Sequence, residues 1–195
     1  MTLVLVLGDI HIPQRAAHIP AKFRKLLVPG KIDKILCTGN LTDRATLEYL
    51  QSITPDVRVV RGEFDDKAQN YPVSLRLVEQ CDDDESGGLA VGVVNGHYMV
   101  PANGDVGTLA ATARQMDVDV LVTGRTHQFE AYEEKGRCFI SPGSITGAFS
   151  PLELDPIPSF VLMEIKPGAE TVAYVYQLEN NEVVVHRTEY KKGEC

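Results

Sequence analysis

Five apolar runs in the first two thirds of this chain each end in a polar turn that contains a glycine: Gly8-Asp9-Ile10-His11, Gly39-Asn40, Gly62-Glu63-Phe64-Asp65, Asn95-Gly96-His97 and Gly124-Arg125-Thr126-His127. Apolar runs of this length read as buried strands. Between the first three lie stretches with helical signals, at 20–28, opened by Pro20, and at 43–52. The rhythm β-α-β-α-β, with strands at 2–8, 34–38 and 57–61, requires a parallel sheet. In an open α/β sheet the carboxyl ends of the strands face one crevice, and sites form there. Ligand-type side chains at successive strand ends therefore predict a site, with glycine supplying the tight turns and close backbone approach. Alternation along the first strand puts Asp9 and His11 on one face, where they can converge on one metal ion.

The remaining elements read as a strand near 73–79, a strand at 89–94, a helix at 105–115 and a strand at 119–123. Beyond these the pattern turns to β, at 129–134, 138–140, 159–165, 171–178 and 182–190, with turn signals at Lys135-Gly136, Pro167-Gly168 and Asn180-Asn181. The last two strands read as a hairpin. The carboxylate run at 82–85 lacks the alternating ligand spacing of a calcium loop and reads as a solvated surface loop. Residues 1–190 form one expected domain, followed by a tail at 191–195.

The formal net charge of −8 argues against binding to nucleic acid and to anionic membrane surfaces. No apolar run reaches the length needed to span a bilayer, and the first residues lack the basic start and cleavage site of a secretory signal, so the expected location is cytoplasmic. Cys37, Cys81, Cys138 and Cys195 show no C-x-x-C spacing and read as reduced, structural thiols.

Taken in order, the five turns resemble the calcineurin-like metallophosphoesterases, whose motifs run D-x-H, GD, GN-H-D/E, GH and GH-x-H. Closer still, Leu36-Cys37-Thr38-Gly39-Asn40, Pro20-Ala21-Lys22-Phe23, Pro142-Gly143-Ser144, Ile157-Pro158-Ser159-Phe160-Val161-Leu162-Met163 and Tyr174-Val175-Tyr176-Gln177-Leu178 resemble the metallophosphoesterase-fold subunit of retromer, the vacuolar protein sorting twenty-nine family. The resemblance covers essentially the whole chain to Tyr190-Lys191-Lys192. It implies an α/β fold in which two β-sheets pack face to face with helices outside, a four-layer αββα sandwich. It also implies an inherited two-metal phosphodiesterase site, with Asp9, His11, Asn40 and His127 at the first metal and Asn40, Glu63, His97 and Arg125 at the second.

Three departures disable that site. A neutral amide at Asn40 cannot supply the shared anionic oxygens that hold two cations about 3.5–4 Å apart. Phe64 stands where active relatives place the histidine that protonates the leaving group, and it has no proton to give. Arg125 replaces a metal-ligating imidazole with a guanidinium that is always charged and accepts no coordination. Arg125 is therefore expected to pair with Glu63 and to replace the second ion electrostatically. The first position retains the means to take at most one divalent ion, zinc or manganese, weakly, and no cofactor is required.

The resemblance further implies a non-catalytic scaffold of retromer in retrieval of cargo from endosomes to the Golgi and plasma membrane, peripheral on endosomal membranes through that complex. It implies docking of the old metal-site face on the C-terminal half of the large α-solenoid subunit, the vacuolar protein sorting thirty-five family. Ile12, Pro13, Val100 and Pro101 are the expected contacts, Val100 being the apolar anchor. An opposite apolar groove for regulatory peptides is expected from Leu3, Leu26, Leu152, Tyr174, Tyr176 and Val185. Two alternatives stay open: a metal-dependent phosphodiesterase of small substrates, and a one-metal sensor whose docking depends on the ion.

Overall fold

In the computed structural model, residues 1–79, 88–101, 105–167 and 170–192 are described. The carboxylate run at 82–85, Cys81, Cys195 and most of the tail lie outside them. The first sheet grows from the expected parallel unit. Strand β1 (Thr2–Leu7) pairs in parallel with β2 (Lys34–Cys37), which pairs in parallel with β3 (Val57–Val59). Helix α1 (Ala21–Leu26) crosses from β1 to β2, and α2 (Arg44–Ile53) crosses from β2 to β3. Asp43 starts α2, its carboxylate accepting the Thr46 N–H at 3.0 Å.

On the other edge of β1 the sheet turns antiparallel. Strand β9 (Ser159–Ile165) pairs with β1, β10 (Glu170–Glu179) with β9, and β11 (Glu182–Lys191) with β10. The β10–β11 hairpin closes through Asn180 and Asn181, with φ values of 48° and 61°. That left-handed pair is what a two-residue turn between right-twisted strands requires.

The second sheet has the order β4-β5-β6-β8-β7. It comprises β4 (Ser74–Glu79), β5 (Leu89–Asn95), β6 (Val120–Gly124), β7 (Phe129–Glu134) and β8 (Arg137–Pro142). Helix α3 (Val106–Met116) leads from β5 to β6 and is capped by Asp105, which accepts the Thr108 N–H at 2.7 Å. The β7–β8 turn runs through Lys135 and Gly136, both left-handed.

Alternation sorts the side chains into three cores. Val4, Val6, Leu36, Val161 and Val175 meet Val91, Val93, Val122 and Ile140 between the sheets. Leu5, Leu7, Ile35, Cys37 and Phe160 face outward and are covered by Phe23, Leu50 and Ile53 from α1, α2 and its end. On the far side, Ala90, Leu121 and Phe139 are covered by Leu109, Ala110 and Ala113 of α3. These are the four layers, helix, sheet, sheet, helix. Cys37 and Cys138 are buried free thiols, and burial pushes both pKa values up, that of Cys138 to about 12.

Candidate metal centre

The site sits where β1, β2, β3, β5 and β6 end. Strand β1 stops at Leu7, so Asp9 and His11 do not converge by strand alternation. Both lie in the left-handed region, with φ of 47° and 49°, as do Asn40, Thr42, Arg125 and His127 in the facing loops. These six are more than half of the eleven non-glycine residues with positive φ among the described residues. Local strain is thus concentrated at the site, where the surrounding hydrogen bonds must hold it. Two backbone bonds tie the first loops together, Asp9 N to Gly39 O at 3.1 Å and His11 N to Asn40 O at 2.9 Å. At Gly39, with φ of 100°, a Cβ would lie 2.5 Å from the Gly62 nitrogen, so this close approach of loops admits only glycine.

Asp65 is the organiser that sequence reasoning passed over. Its buried carboxylate accepts N–H groups from Asn40 and Gly62, each at 2.8 Å, and from Thr42 at 2.9 Å. The signal for it was the Gly62-to-Asp65 turn itself, in which the acid three residues after glycine can reach back to cap the loop.

Asp9, His11 and His127 are buried, and their ligand atoms lie within 4.8 Å of one another. The imidazoles stack at 5.0 Å between centroids. His127 Nδ1 donates to the Ala148 carbonyl, which turns Nε2 towards Asp9 Oδ1 at 3.9 Å. A backbone carbonyl that orients the ring in this way is the usual partner of a metal-bound histidine. His11 Nε2 is buried with no hydrogen-bond partner. Such an orphan is costly unless something coordinates it. Burial drives the His11 pKa down to about 3, with the neighbouring His127 and Arg15 adding to the shift, so the imidazole is neutral and its lone pair available. Burial also raises the Asp9 pKa, against the pull of His127, the Arg125 N–H and Asn40. A carboxylate and two imidazoles form a donor set that fits one divalent zinc or manganese ion.

Asn40 does not complete this set. Its Nδ2 donates to Asp9 Oδ1 at 2.9 Å, and its Oδ1 accepts the Phe64 N–H at 3.0 Å. The amide therefore turns a hydrogen towards the metal position and spends its oxygen on the loop. That corrects its placement among the first-metal ligands.

At the second position Arg125 and Glu63 stand 3.8 Å apart, as the pairing required. The Arg125 backbone N–H also donates to Asp9 Oδ2 at 2.6 Å, binding the guanidinium's own loop to the first position. His97 lies outside the three-donor group. Its Nδ1 is held by Asn95 Oδ1 at 2.9 Å and its ring packs on Tyr98. Burial lowers its pKa, with Glu63 acting in the opposite sense.

Phe64 covers the first position, its ring edge-to-face with His11 at 5.3 Å. Arg15, which the sequence offered no reason to select, lies 4.4 Å over the Phe64 ring and 5.3 Å from that of Phe149. Its Nη1 donates to the Phe149 carbonyl at 3.0 Å. Between these groups opens a cavity of about 270 Å³ whose wall includes His11, Phe64, Arg125 and Leu152.

That wall overturns one assignment. Leu152, expected from the sequence in the apolar groove opposite the metal site, lines the metal-site cavity itself. Pro151-Leu152 belongs to the loop after β8 that crosses the strand-end edge, not to the outer face of the first sheet. The residue that does stand with Leu3, Tyr174, Tyr176 and Val185 is Leu162, opposite Tyr174 on one side and Leu5 on the other. Tyr176 stacks on Phe160 at 4.7 Å, and Val185 lies opposite it. Leu26 is exposed at the end of α1. The sequence signal for Leu162 was its parity with Phe160 along β9. Of the expected docking residues, Ile12 packs partly into the core beneath α1, Pro13 and Pro101 are exposed, and Val100 is 88% exposed.

Four layers with a ligand set at the strand ends define a class, and a family model for the calcineurin-like phosphoesterase superfamily domain matches residues 1–168. The vacuolar protein sorting-associated protein 29 of Schizosaccharomyces pombe is 43% identical over 98% of this chain and its own full length. Vps29 of Chaetomium thermophilum superimposes with a TM-score of 0.88 at 41% identity, covering 98% of this chain and 100% of that one, and has also been crystallised with a cyclic peptide. Wild-type Vps29 of Entamoeba histolytica, crystallised with zinc, has a TM-score of 0.87 at 40% identity, covering 96% and 99%. This chain belongs to the vacuolar protein sorting-associated protein 29 family.

Proposed function

We propose that this chain is the non-catalytic scaffold subunit of retromer, docking by its metal-site face on the C-terminal half of the large α-solenoid subunit and acting in cargo retrieval at endosomal membranes. The observation that carries this reading is the fate of the second metal position. Arg125 and Glu63 pair there, Asn40 spends both arms of its amide within the protein, and Phe64 covers the first position with a ring that cannot protonate a leaving group. A two-metal displacement needs a bridging anion and an acid, and these residues supply neither. The largely exposed Val100 is a suitable apolar anchor for a partner, and Ile12 and Pro13 follow directly on the buried His11. The face made by Leu3, Leu162, Tyr174, Tyr176 and Val185 suits apolar peptide regulators.

Binding of the purified chain to the C-terminal half of the solenoid subunit, with and without EDTA or manganese, tests this. Tight binding that is lost in Val100→Asp and indifferent to chelator supports the scaffold. The intact trio with its unpartnered His11 Nε2 favours one rival, a sensor in which docking depends on the ion. Binding that disappears in EDTA and returns with metal would establish the sensor. Turnover of a generic phosphodiester, abolished by His11→Ala, would overturn both in favour of an enzyme.

A further inference from the structure

The loop at 149–158 has a feature that folding does not account for. It holds Leu152 and Leu154 at 62% and 79% exposure, and it does so with a fixed turn. Ser150 N donates to Glu153 O at 2.7 Å, Glu153 N returns to Ser150 O at 3.2 Å, and the Ser150 hydroxyl accepts the N–H groups of Leu152 and Glu153. Burying a leucine side chain is worth about 2 kcal/mol. A hydrogen-bonded turn that keeps two of them in water forgoes that gain, as surfaces awaiting a partner do.

The turn separates two cavities. On one side is the metal-site cavity, closed by Leu152. On the other is a cavity of about 290 Å³ whose wall includes Glu130, Glu153, Asp155 and Ile157. Glu153 receives the Gln128 side chain and the Asp155 N–H. Glu130 and Asp155 form no ion pair among the described residues, so their charge faces the cavity uncompensated, beside the exposed side chain of Ile157. A lysine or arginine matches that pairing, with its aliphatic stem against Ile157 and its charged head at the carboxylates. Because the turn is the shared wall, a partner seated over the metal-site cavity must cross it and reach the acidic one.

We propose that the 149–158 loop extends the docking face, and that the solenoid partner presents to it an apolar side chain followed by a basic one, the apolar group against Leu152 and Leu154 and the basic group in the acidic cavity. This rests on the solenoid-docking reading above.

The test measures affinity for the C-terminal half of the solenoid subunit by calorimetry at low and high salt. It compares wild type, Leu154→Asp, the charge reversal Glu130→Lys with Asp155→Lys, and Val100→Asp, each confirmed folded by circular dichroism and thermal midpoint. The expectation is at least a tenfold loss in both loop variants, with the salt dependence of binding reduced in the charge reversal. Wild-type affinity in both loop variants, with binding still abolished by Val100→Asp, overturns this proposal and leaves the docking reading standing. No binding by the wild type sinks both. Self-association of the wild type that is lost in Leu154→Asp would assign the loop to a second copy of the chain and likewise overturn it.

Discussion

The two halves of the strand-end site are built by the same loops yet differ in burial, and the difference sets what each can become. At the first position Asp9, His11 and His127 are almost fully buried, and each is tied to a neighbouring loop by a hydrogen bond of its backbone or side chain. At the second, the Arg125 and Glu63 side chains are 28% and 46% exposed and meet at 3.8 Å. A buried polar cluster cannot lose a member without leaving others unsatisfied, which costs about 1–3 kcal/mol per group. A half-exposed ion pair is worth about 0–1 kcal/mol, so its members can be exchanged with little effect on the fold. The first half is therefore bound up with the architecture, and the members of the second can change with little effect on the fold.

The most severe way to break this contrast is to remove the carboxylate beneath both halves. Asp65→Ala strips the acceptor from three backbone N–H groups and is expected to lower stability by about 3 kcal/mol or more, read from urea unfolding. A variant as stable as wild type would show that the loops hold themselves. Next comes the metal. Asp9→Ala is expected to weaken zinc binding by about a hundredfold or more by calorimetry, whereas Glu63→Ala should leave it within about threefold, since only the first position supplies ligands. Equal losses in the two variants would erase the distinction.

Protonation sharpens the contrast in the metal-free protein. The folded His11 pKa of about 3 lies below the ordinary imidazole value of 6.5, so between those limits the unfolded chain binds the extra proton. Stability contributed by the neutral ring is complete above pH 6.5 and declines as the pH falls towards 3, at no more than about 1.4 kcal/mol per pH unit. Asp9, with its raised pKa, works against this slope, so the decisive quantity is the difference between wild type and His11→Phe in EDTA. An unchanged slope in that variant would mean that His11 is solvated in the native state. The second half can be asked to reverse itself: Arg125→His combined with Asn40→Asp restores an imidazole and a bridging carboxylate, and is expected to raise zinc stoichiometry from one to two. The smallest effect should be that of Glu63→Gln, within about 1 kcal/mol in stability.

Much of this was legible along the chain. The strands at 34–38, 89–94 and 159–165 fall within a residue of their observed limits, because continuous apolar runs between glycine turns admit few other readings. The Arg125–Glu63 pair followed from the family resemblance, which implies that the two positions share one metal, together with the inability of a guanidinium to ligate it. Leu152 misled for an equally physical reason: an apolar residue in a polar loop announces exposure but not direction, and only the path of the chain across the strand ends turns it towards His11. Asp65 and Arg15 stayed hidden because their work is done on loops brought near by folding, Asp65 across 25 residues and Arg15 across 134.

Apolar periodicity in the sequence alone determined the parallel β-α-β-α-β unit and the edge on which the site lies, while the resemblance of its motifs to the family implied the four layers and the expectation that Asn40, Phe64 and Arg125 do not support two-metal chemistry. Only the tertiary structure decided which way the Asn40 amide points, that His127 presents Nε2, that Leu162 and not Leu152 stands beside Tyr174, and that two leucines are held out beside an acidic cavity. Those outcomes rest on left-handed backbone turns and on hydrogen bonds between loops far apart in the chain, and a local pattern of residues carries no record of either.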